Sequence, residues 1–439
     1  YGVLTLDGSG VICDGPGCPD LTAFVAEVTF SGSRTMGEVL MPALVEAFAA
    51  RSGYIVERQV TSDTDFLYRL SDESSGAEAA RIGFRVTSTS EGFADLLANE
   101  ADIVLSTRPA TQQEIALARE AGTGDLNNPR RSRIVALDAM VSVVAAANKL
   151  DGLTIQGLAR VFSGEIDNWV ALGGPDAPIA LHLRDANSGI AQDFVKRVLV
   201  PHVKERTEAI TRHPSKADLA EAGAADPAAI GIVPFSAIGN AVPLKIKGPC
   251  GMTSTARART IKTEDYPLTL PLFLYTPARR LPVLVREFLA YARSPAAQPV
   301  VGRAGFVDLL LEDVAVPEQG ERLLNAIEAA GGEVPLTELQ RMARRMRGTE
   351  RLSLSFRFQP GGTQLDAQSR SNVDILAGHL ERGQFDGRPL VFVGFSDGDG
   401  PAAANQRLAT RRAEAVMREV LRAAPAADRD RLLALTPAG

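Results

Sequence analysis

Residues 179–199 read IALHLRDANSGIAQDFVKRVL, and no other stretch limits the fold as much. Ile179, Leu181 and Leu183 alternate with the period of a half-buried strand. Arg184, Asp185, Asn187, Ser188 and Gly189 then crowd the strand's end. Ile190, Phe194, Val195, Val198 and Leu199 recur at helical spacing, which predicts a helix starting at or just after Ser188. A helix N-terminus presents free backbone N–H groups and the positive end of a macrodipole. With a guanidinium and a hydroxyl beside it, such a turn suits an oxyanion. The same residues also fit a plainer role, in which Ser188 caps the helix and Arg184 pairs with Asp185 or faces solvent.

The rest of the chain repeats the pattern and implies an α/β fold. Residues 28–30 read as a strand, followed by the turn Ser31-Gly32-Ser33-Arg34-Thr35 and a helix carrying Met36, Val39, Leu40, Leu44 and Phe48. Pro42 inside that apolar face predicts a kink or a restart. Strands are predicted over 54–60 and 81–86, the second ending in Thr87-Ser88-Thr89-Ser90-Glu91-Gly92 before a helix over 93–98. A strand over 102–105 ends in Ser106-Thr107-Arg108. Ligands of α/β sheets collect at the carboxyl ends of strands. Four polar clusters fall there: Ser31, Gly32, Ser33 and Thr35; Ser88 and Ser90; Ser106, Thr107 and Arg108; Arg184, Ser188 and Gly189. Each alone fits a helix cap, but four together point to a cleft binder.

The apolar run 134–147 suits a fully buried crossing strand, with further strands over 230–233 and 271–275 and a helix over 282–293. Residues 25–311 therefore read as a two-lobed domain with one lobe, about 112–228, inserted within the other. Residues 1–24 read as a strap or the remnant of a preceding module, and the start at Tyr1 as a processed product. Residues 312–350 form a charged linker with helical pieces, and the basic run 341–347 reads as a solvated amphipathic face. A last α/β unit spans 351–439: a strand alternating through Leu352, Leu354, Phe356 and Phe358, a helix through Val373 and Leu380, a strand over 390–395, and a helix from about Ala403. No strand is predicted for that last helix to return to, so the unit reads as truncated.

At 439 residues the chain exceeds what one core serves. A net charge of −6 and the lack of a basic run with interleaved aromatics argue against a nucleic-acid partner. No apolar stretch reaches membrane-spanning length. Ser188 does not sit in a G-x-S-x-G turn, P-loop and G-x-G-x-x-G motifs are absent, and His182, His202, His213 and His379 show no metal-ligand spacing. The expectation is therefore no catalysis, no metal and no cofactor. Cys13 and Cys18 flank a turn that would let them pair, leaving Cys250 single, while buried structural thiols fit equally.

Residues 25–310 resemble the phosphate-binding proteins of ABC transporters, with their two-lobed type II periplasmic binding fold. The resemblance rests on FSGSRT (30–35), ADIVLSTRP (101–109), IVALDAMVSVV (134–144), LARVFSGEIDNWVALGG (158–174), LRDANSGIAQDF (183–194), AIGIVPFS (229–236) and YPLTLPLFLYT (266–276). It implies that the four polar clusters are the contacts to phosphate or a similar oxyanion, and that an ABC transporter permease is a further partner. Two departures stand out. Thr107 occupies the position of an Asp that accepts the ligand's proton, and Ile190 stands where a Thr follows the Ser-Gly pair. Relaxed selectivity, with sulfate competing, is the expectation.

Residues 351–439 resemble the OmpA-like peptidoglycan-binding domain, through Gly394-Phe395-Ser396-Asp397 and through Asn405, Leu408, Arg412, Ala413 and Val416 at the family's spacing. The resemblance implies that Asp397 and Arg412 hold the diaminopimelate of the peptidoglycan stem peptide. Asp suits an ammonium and Arg a carboxylate. The whole reads as a non-enzymatic binder in the periplasm or outer-membrane-associated envelope of a Gram-negative cell. The alternative is a wall-anchored sensor, scaffold or adhesin with a degenerate cleft.

Overall fold

The computed structural model describes residues 25–186, 188–203, 207–248, 252–315, 334–359, 361–395 and 401–426, helical positions 320, 324 and 327, and the backbones of the strands Val3–Asp7, Gly10–Asp14 and Leu432–Leu435. Cys18, Cys250, Asn187, Ser396 and Asp397 lie outside the described residues.

One long strand organises the molecule. Ser132–Val144 is buried almost throughout, as its unbroken apolar sequence demands. Its first part, through Ala139, pairs antiparallel with Thr269–Tyr275, and its last part, Met140–Val144, pairs antiparallel with Ala229–Pro234. The strand thus passes from one half of the sheet to the other. In the first half, Ala26–Ser33 lies between Glu78–Thr87 and Ile103–Ser106 and runs parallel to both. In the second, Ala180–Arg184 runs parallel to Ala229–Pro234 and Ile210–His213. Each half therefore gathers its strand carboxyl ends on one edge, the place where connecting helices begin.

Pairing moves the lobe boundaries. The second lobe does not span 112–228: the change of lobe falls inside the crossing strand near residue 140, and Ala229–Pro234 belongs to the second half-sheet. A strand at Asp65–Asp72, whose Phe66, Tyr68 and Leu70 point inward, adds a member that the sequence reading lacked. At Pro42 the expected restart occurs, as a π turn over Met36–Leu40 gives way to an α-helix at Met41–Arg51. Trp169, fully buried, donates its indole N–H to the Ala228 carbonyl at 2.9 Å and ties the second lobe's short Trp169–Leu172 turn to its sheet.

The C-terminal unit differs from expectation in two places. Of the strand expected through Phe358, Glu350–Leu352 pairs with Asp313–Ala315, and Phe358 makes an isolated antiparallel bridge to Leu365. The ends of the 312–350 segment thus meet as a two-stranded sheet, and its described middle holds the helix Leu336–Met346. The long helix Ala402–Ala423 does return to a strand: Leu432–Leu435 pairs parallel with Leu390–Val393. Gly394 is required where that sheet meets the helix, since a Cβ there would lie 2.0 Å from the Ala409 carbonyl oxygen.

At the lobe switch, Asp138 is completely buried and accepts the N–H groups of Ala139 (2.8 Å) and Ser236 (3.1 Å) and the Ser236 hydroxyl (2.8 Å). Burial pushes its carboxyl up to about 6, against those hydrogen bonds. The native fold then holds the proton more tightly than the unfolded chain does. The stability from this group is complete below the ordinary 3.8 and is lost as pH rises through about 6. Asp138→Asn is expected to flatten the fall in stability between pH 4 and 6, by up to about 3 kcal/mol. Urea midpoints across that range check it, and an unchanged slope would assign the pH dependence to other groups.

Candidate functional site

The four clusters lie where strands end and helices begin, three in the first lobe and one in the second. From the first lobe, Ser31 and Ser33 end their strand with Gly32 between them at φ 130°, where a Cβ would lie 2.3 Å from the Leu105 carbonyl. Only glycine fits that close approach. The Ser33 hydroxyl is buried and has no hydrogen-bond partner among the described residues. Thr35 is buried and makes no capping bond. Ser31 is already engaged: its hydroxyl donates to Asp95 Oδ2 at 2.6 Å.

The other first-lobe groups are engaged too. Ser88 caps the helix Thr89–Leu97 in a reciprocal box with Glu91. Ser106 donates to the Arg108 carbonyl at 2.5 Å. Arg108 makes a bidentate pair with Glu114, at 2.8 and 2.7 Å, and reaches Ser90 Oγ at 3.2 Å. Its charge is thereby neutralised by a helix that sequence reasoning never connected to it. Thr107 donates to Asp193 Oδ2 at 2.6 Å, across 86 residues, and its hydroxyl lies 3.3 Å from that of Thr89.

The second lobe supplies the cation. Arg184 ends its strand only 7 % exposed and donates to the His213 carbonyl at 3.0 Å. Among the described residues no carboxylate forms an ion pair with it, so Asp185 does not neutralise it. Ser188 caps the helix that opens at Gly189, accepting the Ala191 N–H at 3.4 Å. The plainer reading of Ser188 as a cap holds, and that of Arg184 as paired or solvated does not. His182 and His213 stack beside Arg184 with Nδ1 and Nε2 2.8 Å apart.

The bonds from Thr107 to Asp193, and from Lys216 to Glu38 at 3.0 Å, join the lobes across the cleft. Asp193 lies four residues after Gly189, so both sit on one face of the helix. It is 5 % exposed, and burial raises its carboxyl above the usual carboxylate range while the Thr107 bond opposes. The two lobes thus offer, among the described residues, one buried cation without a carboxylate partner, one hydroxyl without a hydrogen-bond partner and one carboxylate acceptor.

This architecture has known counterparts. Residues 25–296 match the family described as the PBP superfamily domain. The chain belongs to the PBP superfamily. Residues 357–429 match the OmpA family. The phosphate-binding protein PstS of Borreliella burgdorferi is 24% identical over 234 residues, which are 52% of this chain and 80% of that protein. PstS of Bacillus subtilis is 31% identical over 175 residues, covering 38% and 55%. An ABC-type phosphate transport receptor from Vibrio cholerae superposes with a TM-score of 0.50 at 19% identity, covering 64% of this chain and 99% of that one, a likeness of fold.

For this PBP-superfamily chain, sequence reasoning missed Asp193, Asp95, Glu114 and the Glu38–Lys216 bridge. The spacing of Gly189 and Asp193 was a usable signal for the first; for Asp95, 64 residues from Ser31, there was none. In the OmpA-family unit, Arg412 donates to the Gly362 carbonyl at 3.2 Å and the Phe395 carbonyl at 3.3 Å, and its guanidinium lies 5.2 Å from the Phe358 ring centre. Both acceptors are neutral, and among the described residues no carboxylate pairs with Arg412.

Proposed function

We propose that this chain captures phosphate or a similar tetrahedral oxyanion between its lobes, without chemical conversion, while its OmpA-family unit holds it to peptidoglycan. The observation that carries the reading is Arg184, a buried guanidinium that has no carboxylate partner among the described residues and ends its strand four residues before the helix-capping Ser188. A buried unpaired charge is costly, and a bound anion removes that cost. Ser31, Gly32, Ser33, Thr35, Ser88, Ser90, Ser106, Thr107 and Arg108 surround the anion from the first lobe, and Arg184, Ser188 and Gly189 from the second. The ligands named for the PstS relatives support phosphate. Delivery to an ABC transporter permease, in the periplasm or at the outer membrane, completes the reading.

Calorimetric titration of the full chain with phosphate, sulfate and molybdate tests it. Saturable phosphate binding is expected. Absence of heat and of thermal stabilisation with every anion would replace capture by the scaffold or sensor reading, which draws support from the engagement of Ser31, Thr107 and Arg108 by acidic side chains.

For the wall, each hydrogen bond between a charged group and diaminopimelate is worth roughly 1.5–3 kcal/mol. Asp397→Ala with Arg412→Ala is therefore expected to abolish sedimentation with purified peptidoglycan and to leave the number of anion sites unchanged. Sedimentation equal to the parent's would refute the anchoring role.

A further inference from the structure

The OmpA-family unit is clamped onto the hinge of the two-lobed domain through a buried glutamate. Thr263, Glu264 and Asp265 lie where the chain returns from the second lobe to the first, four residues before the strand Thr269–Tyr275. Tyr266 beside them donates its hydroxyl to the Met140 carbonyl, just past the point where the crossing strand changes lobe. Glu264 is buried and holds φ 57°, the left-handed region that side chains other than glycine seldom adopt. Such a residue persists only where its surroundings over-determine it.

They do so from the C-terminal unit. Arg357 lies with Nε 3.0 Å from Glu264 Oε2 and also donates to the Glu264 carbonyl. Asn372 donates to Glu264 Oε1 at 3.2 Å. Arg351 grips both oxygens of Asp265, at 2.6 and 3.2 Å, and donates to the Thr263 carbonyl at 3.0 Å. Ser355 donates to that same carbonyl at 2.6 Å. Two residues beyond Asn372, on the helix Ala367–Glu381 that packs against the crossing strand, burial raises the Asp374 carboxyl while the charges of Arg293 and Arg133 of the first lobe oppose that rise. The unit therefore touches the return loop on one side of the hinge and the first lobe on the other.

The clamp is continuous with the Arg412 site. Phe358, over whose ring Arg412 sits, directly follows Arg357, and Gly362, which accepts from Arg412, closes the same turn. On the cleft side, Arg197, four residues after the Asp193 that bonds Thr107 across the lobes, donates to the Thr269 carbonyl at 3.0 Å, where the return loop enters its strand.

We propose that the C-terminal unit is a coupled sensor rather than a passive tether: engagement of Arg412 and closure of the cleft share one free-energy balance through the Arg351–Arg357 segment and its grip on Glu264. The Arg412 end of this inference rests on the wall-binding reading above. A carboxylate arriving at Arg412 competes with the Gly362 and Phe395 carbonyls for the guanidinium and so frees the turn that continues into Arg357. Lobe rotation about the crossing strand displaces the return loop against the first-lobe arginines and strains the same grip. Linkage then requires the wall ligand to change anion affinity by the factor by which the anion changes wall affinity.

Hydrogen–deuterium exchange of the full chain tests the mechanical part without any ligand. In Arg357→Ala, amides of 258–268 and those of the interlobe contacts, 105–111 and 188–194, are expected to exchange at least threefold faster than in the parent. Faster exchange at 258–268 with unchanged cleft amides would overturn coupling, and unchanged 258–268 would overturn the clamp. If Arg357→Ala unfolds, Glu264→Gln carries the same comparison, because it removes the charge and keeps the bond to Asn372. The ligand arm uses meso-diaminopimelate and inorganic phosphate. The first is expected to shift the dissociation constant of the second at least threefold in the parent and not in Arg357→Ala; no shift with both bound overturns the linkage. If meso-diaminopimelate does not bind, the wall reading fails, and the exchange result alone decides whether unit and cleft are coupled.

Discussion

Arg184→Ala is expected to weaken oxyanion binding by about 2–4 kcal/mol, roughly thirtyfold to a thousandfold. The guanidinium is buried at the end of its strand and spends one N–H on the His213 carbonyl. Its remaining donors and its full charge have no acidic partner among the described residues. In a site closed from water, hydrogen bonds between ions are stronger than at the surface. The substitution should therefore separate binding from stability. Without ligand, the variant should melt at or above the parent's temperature, because an uncompensated buried charge has gone. With phosphate, only the parent should gain stability. A variant that binds phosphate as tightly as the parent would place the site elsewhere.

Asp193→Asn is expected to alter selectivity more than affinity. Thr107 alone, in place of an acidic acceptor, implied that sulfate competes with phosphate. The fold brings Asp193 to that hydroxyl from the opposite lobe, 2.6 Å away. Glu91, at the neighbouring Ser88 turn, is held by that residue's cap. A carboxylate facing the ligand accepts the proton of hydrogen phosphate and repels a fully ionised sulfate. The parent is therefore expected to prefer phosphate by a hundredfold or more near neutral pH, about 3 kcal/mol. Asn, which can donate, should narrow that to within about tenfold. Burial raises the Asp193 carboxyl, so the neutral acid persists to higher pH than for an exposed Asp. Sulfate affinity in the parent should accordingly rise as pH falls through that raised value, and stay flat in Asp193→Asn. Equal affinity of the parent for both anions at pH 8 would remove Asp193 from the role.

Much of this arrangement is local and therefore legible in the residues themselves. Alternation at 181 and 183 followed by helical spacing from 190 places Arg184 and Ser188 at a strand-to-helix turn, and the structure has that turn. Pro42 marks the helix restart for a covalent reason, its missing N–H. The short strand Leu432–Leu435 escaped because four apolar residues after a long helix carry no period of their own.

What periodicity determined was which side chains reach the edge of the sheet; what only the tertiary structure decided was which of them are free. Ser31 and Thr107 look alike as hydroxyls ending strands, yet one is claimed by Asp95 and the other by Asp193, from 64 and 86 residues away. Arg108 and Arg184 look alike as cations at strand ends, yet Glu114 neutralises the first and no described carboxylate pairs with the second. A strand or helix is set by interactions within a few residues, so its signal is written along the chain. The charge state and free hydrogen-bonding capacity of a buried group depend on whatever the topology carries to within about 3 Å of it. Asp95 and Glu114 come from the same lobe and Asp193 from the other, and none of these pairings follows a period along the chain.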